Sequence, residues 1–118
     1  MDHIEIRGLR VFAHHGVLPH EKRDGQTFVI DLTVSVDLSG PAKSDDLTQT
    51  IHYGELAEQV AAEAASNRFD LIERLAGHLL DLVMADRRVE ESQIRIAKPD
   101  APIDAEVDEV AVVLRRTR

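Results

Sequence analysis

Between Phe28 and Leu38 apolar side chains fall on every second position: Phe28, Ile30, Leu32, Val34, Val36 and Leu38, with Asp31, Thr33, Ser35 and Asp37 among the residues between them. Successive side chains of a strand point to opposite faces, so this run makes one apolar face and one polar face. It predicts a long, one-sided antiparallel strand over 28–38 whose apolar face must be covered by other elements.

The same period appears at the start of the chain, with an interruption. Ile4 and Ile6 alternate with polar residues, and beyond Gly8 the apolar parity moves to Leu9, Val11 and Ala13. A parity switch at a glycine predicts a bulge or bend within one strand. Residues 16–27 and 39–52 read as loops, the second punctuated by Gly40-Pro41. The period then changes to three and four. Tyr53, Leu56, Ala57, Val60, Ala61 and Ala64 predict an amphipathic helix, and after a break at Asn67–Asp70 the positions Leu71, Ile72, Leu75, Ala76, Leu79, Leu82 and Val83 predict a second. Ile94 and Ile96, running to Pro99, and Val110, Val112 and Leu114 predict two further strands, with Pro99 and Pro102 bracketing the loop between them. The order strand, strand, helix, helix, strand, strand predicts an α+β fold with both helices on one face of an antiparallel sheet. The other face is then wet or covered by a neighbouring subunit.

The length of 118 residues suits one domain spanning 1–118. With three Phe, one Tyr and no Trp, the core has to be built from Val, Ile, Leu and Ala. A formal net charge of −8 argues against a nucleic-acid or anionic-membrane surface, which needs a basic patch. The absence of cysteine excludes disulfides and thiolate chemistry. No apolar run approaches the roughly 20 residues of a membrane span, and the charged, alternating N-terminus is unlike a signal peptide. A cytoplasmic location is the default expectation.

Four titratable residues fall near element ends, where sites are usually built. Glu21 sits beside Lys22 and Arg23 and reads equally as a solvated loop charge. Tyr53 lies on the apolar helical stripe and fits a core role. Glu73 follows Asp70 by three residues, a near capping box with Asp70 as N-cap, so it reads as a cap or as an anion held at a helix N-terminus. Lys98 continues the parity of Ile94 and Ile96 and reads either as an edge-guarding charge or as a partly desolvated amine able to exchange protons. Among the six histidines, His14 and His15 are adjacent and point to opposite faces of a strand, while His3, His20, His52 and His78 show no ligand spacing. No metal site is expected. There is also no glycine-rich phosphate loop and no Gly-x-Ser-x-Gly elbow.

Taken in order, His14-His15-Gly16-Val17, Glu21, Gly25-Gln26, Ser44-Asp45-Asp46, His52-Tyr53-Gly54, Leu71-Ile72-Glu73 and Lys98-Pro99 with Ala101-Pro102-Ile103 resemble the dihydroneopterin aldolases of folate biosynthesis over essentially the whole chain. The resemblance implies the tunnelling fold, in which four subunits join their sheets into a ring-shaped barrel and two rings stack into an octamer, with each site between adjacent subunits. It implies a small-molecule pterin substrate and no cofactor. On this resemblance Glu73 is the pterin anchor, accepting from the 2-amino group and N3, and the backbone at Ile72 shares in that recognition. Lys98 and Glu21 handle protons around the reacting side chain, and Tyr53 is the catalytic tyrosine lent by the neighbouring subunit. Two other readings stay open at this stage: an epimerase acting on a phosphorylated dihydroneopterin, and a non-catalytic pteridine- or purine-binding oligomer.

Overall fold

The computed structural model describes residues 1–118. Four strands, β1 (His3–Ala13), β2 (Gln26–Ser35), β3 (Glu91–Lys98) and β4 (Val110–Thr117), form one sheet in the order β1-β2-β3-β4 with every neighbouring pair antiparallel. Helices α3 (Tyr53–Ser66) and α4 (Ile72–Met84) cover one face, α3 against β1 and α4 against β3 and β4. The α+β class and the one-sided sheet therefore agree with the periodicities. No helix is long and apolar enough to cross a membrane.

The core forms where the two periods meet. Phe28, Ile30, Leu32 and Val34 of β2 and Ile94 and Ile96 of β3 are buried against Val60 and Ala64 of α3 and Leu75, Ala76, Leu79, Leu80 and Val83 of α4. Each large side chain here contributes about 1.5–3 kcal/mol by leaving water. Register follows from the same residues. Ile30 pairs with Ile96 and Leu32 with Ile94, and those pair in turn with Val112 and Leu114. A slip by one position would turn the whole apolar set to the opposite face.

The parity switch in β1 is a register shift between Ile6, opposite Leu32, and Leu9, opposite Ile30. Gly8 occupies the bulge at φ +72°, in the left-handed region that favours glycine, and its N–H donates to Asp31 Oδ1 at 2.7 Å. The bulge restores the inward direction of Leu9, Val11 and Ala13.

Three expectations need correction. The strand expected over 28–38 runs instead from Gln26 to Ser35: the N–H of Val36 still donates to Asp2 O, but Leu38 leaves the extended region to cap a short helix that begins at Ser39. Besides the two expected helices there are two short ones, α1 (Pro19–Asp24) inside the first loop and α2 (Ser39–Ser44) inside the second, with a 3-10 turn at Leu47–Gln49. Six residues are too few to show a helical period. Local chemistry holds them instead: Pro19 begins α1, Glu21 bonds back to the N–H of Leu18, and Asp46 caps the 3-10 turn through Thr48 N. Thirdly, Tyr53 is 66% exposed, so it opens α3 outside the core.

Candidate active site

A cleft opens where the segment after β1, α1, the start of α4, the end of β3 and the loop before β4 converge. Glu21, Ile72, Glu73 and Lys98 line it together with apolar Val17, Ile103 and Val110. Four of the five residues singled out in the sequence are thus brought together from segments far apart in the chain. The fifth, Tyr53, is not among the residues lining this cleft in the same subunit.

Glu21 and Lys98 form its polar floor. Lys98 Nζ donates to Glu21 Oε2 at 2.8 Å, and the two side chains are 13% and 4% exposed. The N–H of Leu18 donates to the other carboxylate oxygen at 3.2 Å, and Gln26 Nε2 donates to Oε2 at 3.1 Å. Burial pushes the Glu21 carboxyl upward, but the bonds from Lys98, Leu18 and Gln26 outweigh it and hold the group below the usual glutamate range. Gly16 makes room for this carboxylate: a Cβ there would overlap the Glu21 side chain. Glu21 is therefore not a solvated loop charge. Lys98 is not an edge guard either, since β3 lies between β2 and β4 and its side chain turns inward to the cleft.

The opposite wall is the first turn of α4. The expected capping box is absent: Leu71 is the N-cap and offers no side-chain bond, Ile72 is the first helical residue and Glu73 the second. Asp70 instead pairs with Lys22 of α1. The N–H groups of Ile72 and Glu73 donate to no backbone carbonyl, as expected of the first turn of a helix. Glu73 is exposed, with its side chain free of ion pairs and unused as a cap. Two free N–H donors and a free carboxylate thus stand at the cleft, an arrangement suited to a flat heterocycle carrying its own donors and acceptors.

β1 ends at Ala13, so His14 and His15 lie just beyond it rather than within a strand, and they point into different surroundings. His14 Nδ1–H donates to Lys22 O at 2.9 Å and packs edge-on to Phe12. His15 is fully buried, stacked on Phe69 and edge-on to Phe28. Burial is the largest cause holding its ring below the usual histidine range, so the neutral form is favoured.

Residues 4–115 match the family model for dihydroneopterin aldolase. The chain belongs to the dihydroneopterin aldolase family. Similar relatives include dihydroneopterin aldolase of Streptomyces coelicolor, 41% identical over 118 residues with 100% of this chain and 99% of the relative covered. That of Methylorubrum extorquens is 43% identical, covering 99% of this chain and 91% of the relative. Among solved structures, Escherichia coli dihydroneopterin aldolase in complex with neopterin superposes with a TM-score of 0.90 at 32% identity, covering 98% of this chain and 99% of that one. Dihydroneopterin aldolases are carbon–carbon lyases of folate biosynthesis, and the four-stranded antiparallel sheet with its helices matches their structures.

Two residues at the site carry no assignment from the sequence patterns. Gln26 donates directly to Glu21, and His15 accepts from the N–H of Phe69 in the segment leading to α4. Both stand in the quoted motifs, but only three-dimensional contacts reveal what they hold.

Proposed function

We propose that this cleft binds the ring of 7,8-dihydroneopterin and that the chain cleaves the bond between the first two side-chain carbons, giving 6-hydroxymethyl-7,8-dihydropterin and glycolaldehyde. The observation that carries this reading is the convergence of a buried Glu21–Lys98 pair with the free Glu73 carboxylate and free helix N–H groups on one cleft. Neopterin bound to the Escherichia coli relative supports a pterin as ligand.

The residues suit a retro-aldol reaction. A base takes the proton from the hydroxyl on the second carbon, and the carbon–carbon bond breaks as that oxygen becomes the aldehyde. The released electron pair moves from the first carbon into the ring's C6=N5 imine. Protonation of N5 makes this a better sink, so the substrate supplies what other aldolases take from a lysine Schiff base or a metal ion. Reprotonation of the first carbon completes the product. Glu73 accepts from the 2-amino group and N3 and positions the ring, with the backbone at Ile72 beside it. Lys98, through water, exchanges protons with the ring and the side-chain hydroxyl, and Glu21 orients Lys98 and the diol. Return of the aldehyde before release epimerises the second carbon.

Tyr53 of a neighbouring subunit donates the proton to the first carbon. Its 66% exposure at the start of α3, outside the subunit's own cleft, supports a role across an interface. β1 and β4 are the sheet edges, and Phe12 and Val113 are exposed large apolar side chains on these two strands. Edges of this kind favour continuation into another sheet, in keeping with four subunits closing a barrel and two rings forming an octamer. A phosphorylated substrate is disfavoured by the charges: Lys22 is neutralised by Asp70 and Arg23 by Asp24.

Purified protein incubated with 7,8-dihydroneopterin and a chelator should release both products. No product from folded, oligomeric protein would overturn this reading.

A further inference from the structure

Residues 67–71 join α3 to α4 and set where the first turn of α4 meets the cleft. This linker has two bonds to the segment that follows β1, both at Phe69. The N–H of Gly16 donates to Phe69 O at 3.0 Å, and the N–H of Phe69 donates to His15 Nδ1 at 3.0 Å. Because Nδ1 accepts, Nε2 carries the proton, and it donates to Ala64 O at 2.7 Å. That carbonyl lies in the last turn of α3, where carbonyls lack intrahelical donors. One ring therefore closes the end of α3 and holds the approach to α4.

The Phe69 ring is held as firmly as its backbone. It stacks on His15 with centroids 5.8 Å apart, tilts against His78 at 5.3 Å, and lies under the Arg74 guanidinium at 5.1 Å. His78 is fixed in turn by Glu63 at 2.6 Å. On the other side of His15 the chain passes to Gly16, which packs directly on the Glu21 carboxylate. The dipeptide His15-Gly16 thus touches both the linker that leads to the wall carrying Ile72 and Glu73 and, through Gly16, the Glu21 carboxylate of the floor.

We infer that His15 is a positioning residue for the aldolase reaction, setting the placement of the Ile72–Glu73 wall relative to the Glu21–Lys98 pair through its bond to Phe69. This rests on the reading of the cleft as a pterin site. His15 itself is fully buried and is not among the residues lining the cleft. The bond to Phe69 carries the effect, whereas the bond to Ala64 contributes to the stability of α3.

Three variants separate those bonds. His15→Asn places an amide oxygen near the position of Nδ1 and retains an acceptor for Phe69. His15→Gln reaches toward the position of Nε2 and retains a donor for Ala64. His15→Leu removes both. Melting temperature, neopterin affinity by titration, and kcat and KM for dihydroneopterin are measured well below the lowest melting point. His15→Leu should weaken neopterin binding about tenfold, the scale of one well-placed hydrogen bond, and lower kcat as well. His15→Asn should recover affinity and kcat, and His15→Gln should recover melting temperature without affinity. A folded His15→Leu with wild-type affinity and kcat would reduce His15 to a stabilising core residue and overturn the inference. If His15→Leu does not fold, the comparison of Asn with Gln decides: tighter binding by Asn supports it, and equal affinities overturn it. Failure of the wild type to bind neopterin would instead sink the pterin reading itself, and this inference with it.

Discussion

Lys98 Nζ lies 2.8 Å from Glu21 Oε2, joining the last residue of β3 to the third residue of α1 across 77 positions of chain. Both side chains are largely shielded from water, so this is a buried pair and not a surface one. Its Glu21 member is held below the ordinary glutamate range, although burial alone would raise it.

The pH dependence of stability follows from that direction. A carboxylate with a depressed folded-state pKa contributes stability that is complete above its unfolded value, near 4.5 for this group, and is lost as pH falls through the lower folded value. Wild type should therefore melt well above Glu21→Gln at about pH 7, and the gap should narrow progressively as pH falls below about 4.5. Thermal melts of both proteins across this range check it. A gap that widens with acid would contradict the assignment.

Lys98→Ala should lower kcat far more than it weakens neopterin binding, because the proposed role is proton transfer and not ring recognition. It should also destabilise the fold by about 3 kcal/mol, the low end for breaking a buried pair, since Leu18 and Gln26 still bond to Glu21. Borohydride added during wild-type turnover should leave the protein mass unchanged. A covalent adduct on Lys98 would mean that an imine forms there and that the pterin ring is not the electron sink.

Glu73→Gln should weaken pterin binding by about 1.5–3 kcal/mol, the scale of hydrogen bonds to a charged group. The amide keeps the shape but presents a donor where the ring also donates. Melting temperature should scarcely move, since Glu73 is exposed and Leu71 is the N-cap. Calorimetry and a melting curve on the same variant measure both. A lower melting point with unchanged affinity would return Glu73 to a purely structural role.

Long-period features were legible in the sequence. The alternation from Phe28 onward specified the buried face of β2, and the parity change at Gly8 located the β1 bulge, because both depend only on where side chains point. The short helices escaped notice, since α1 rests on Pro19 and a single Glu21 bond. Asp70 has the right chemistry for an N-cap, but Lys22 competes for it, and the helix starts one residue later. Tyr53 fits the apolar stripe of α3, yet it stands at the helix end beyond the sheet. For His15 the sequence indicated only that its side chain points away from that of His14. Its partners Ala64 and Phe69, 49 and 54 residues away, are products of the tertiary fold.

Mixed oligomers test whether each site is completed by two subunits. Tyr53→Ala and Glu73→Ala proteins should each be nearly inactive alone. Unfolded and refolded together, they should form rings in which an intact Glu73 from one subunit faces an intact Tyr53 from the next. Random assortment around a cyclic ring gives about one such site in four, so activity should recover to roughly a quarter of wild type refolded in the same way. A chain carrying both substitutions should recover nothing. If native mass spectrometry shows mixed oligomers that remain inactive while wild type refolds to full activity, Tyr53 is not lent across the interface and the shared-site account is wrong.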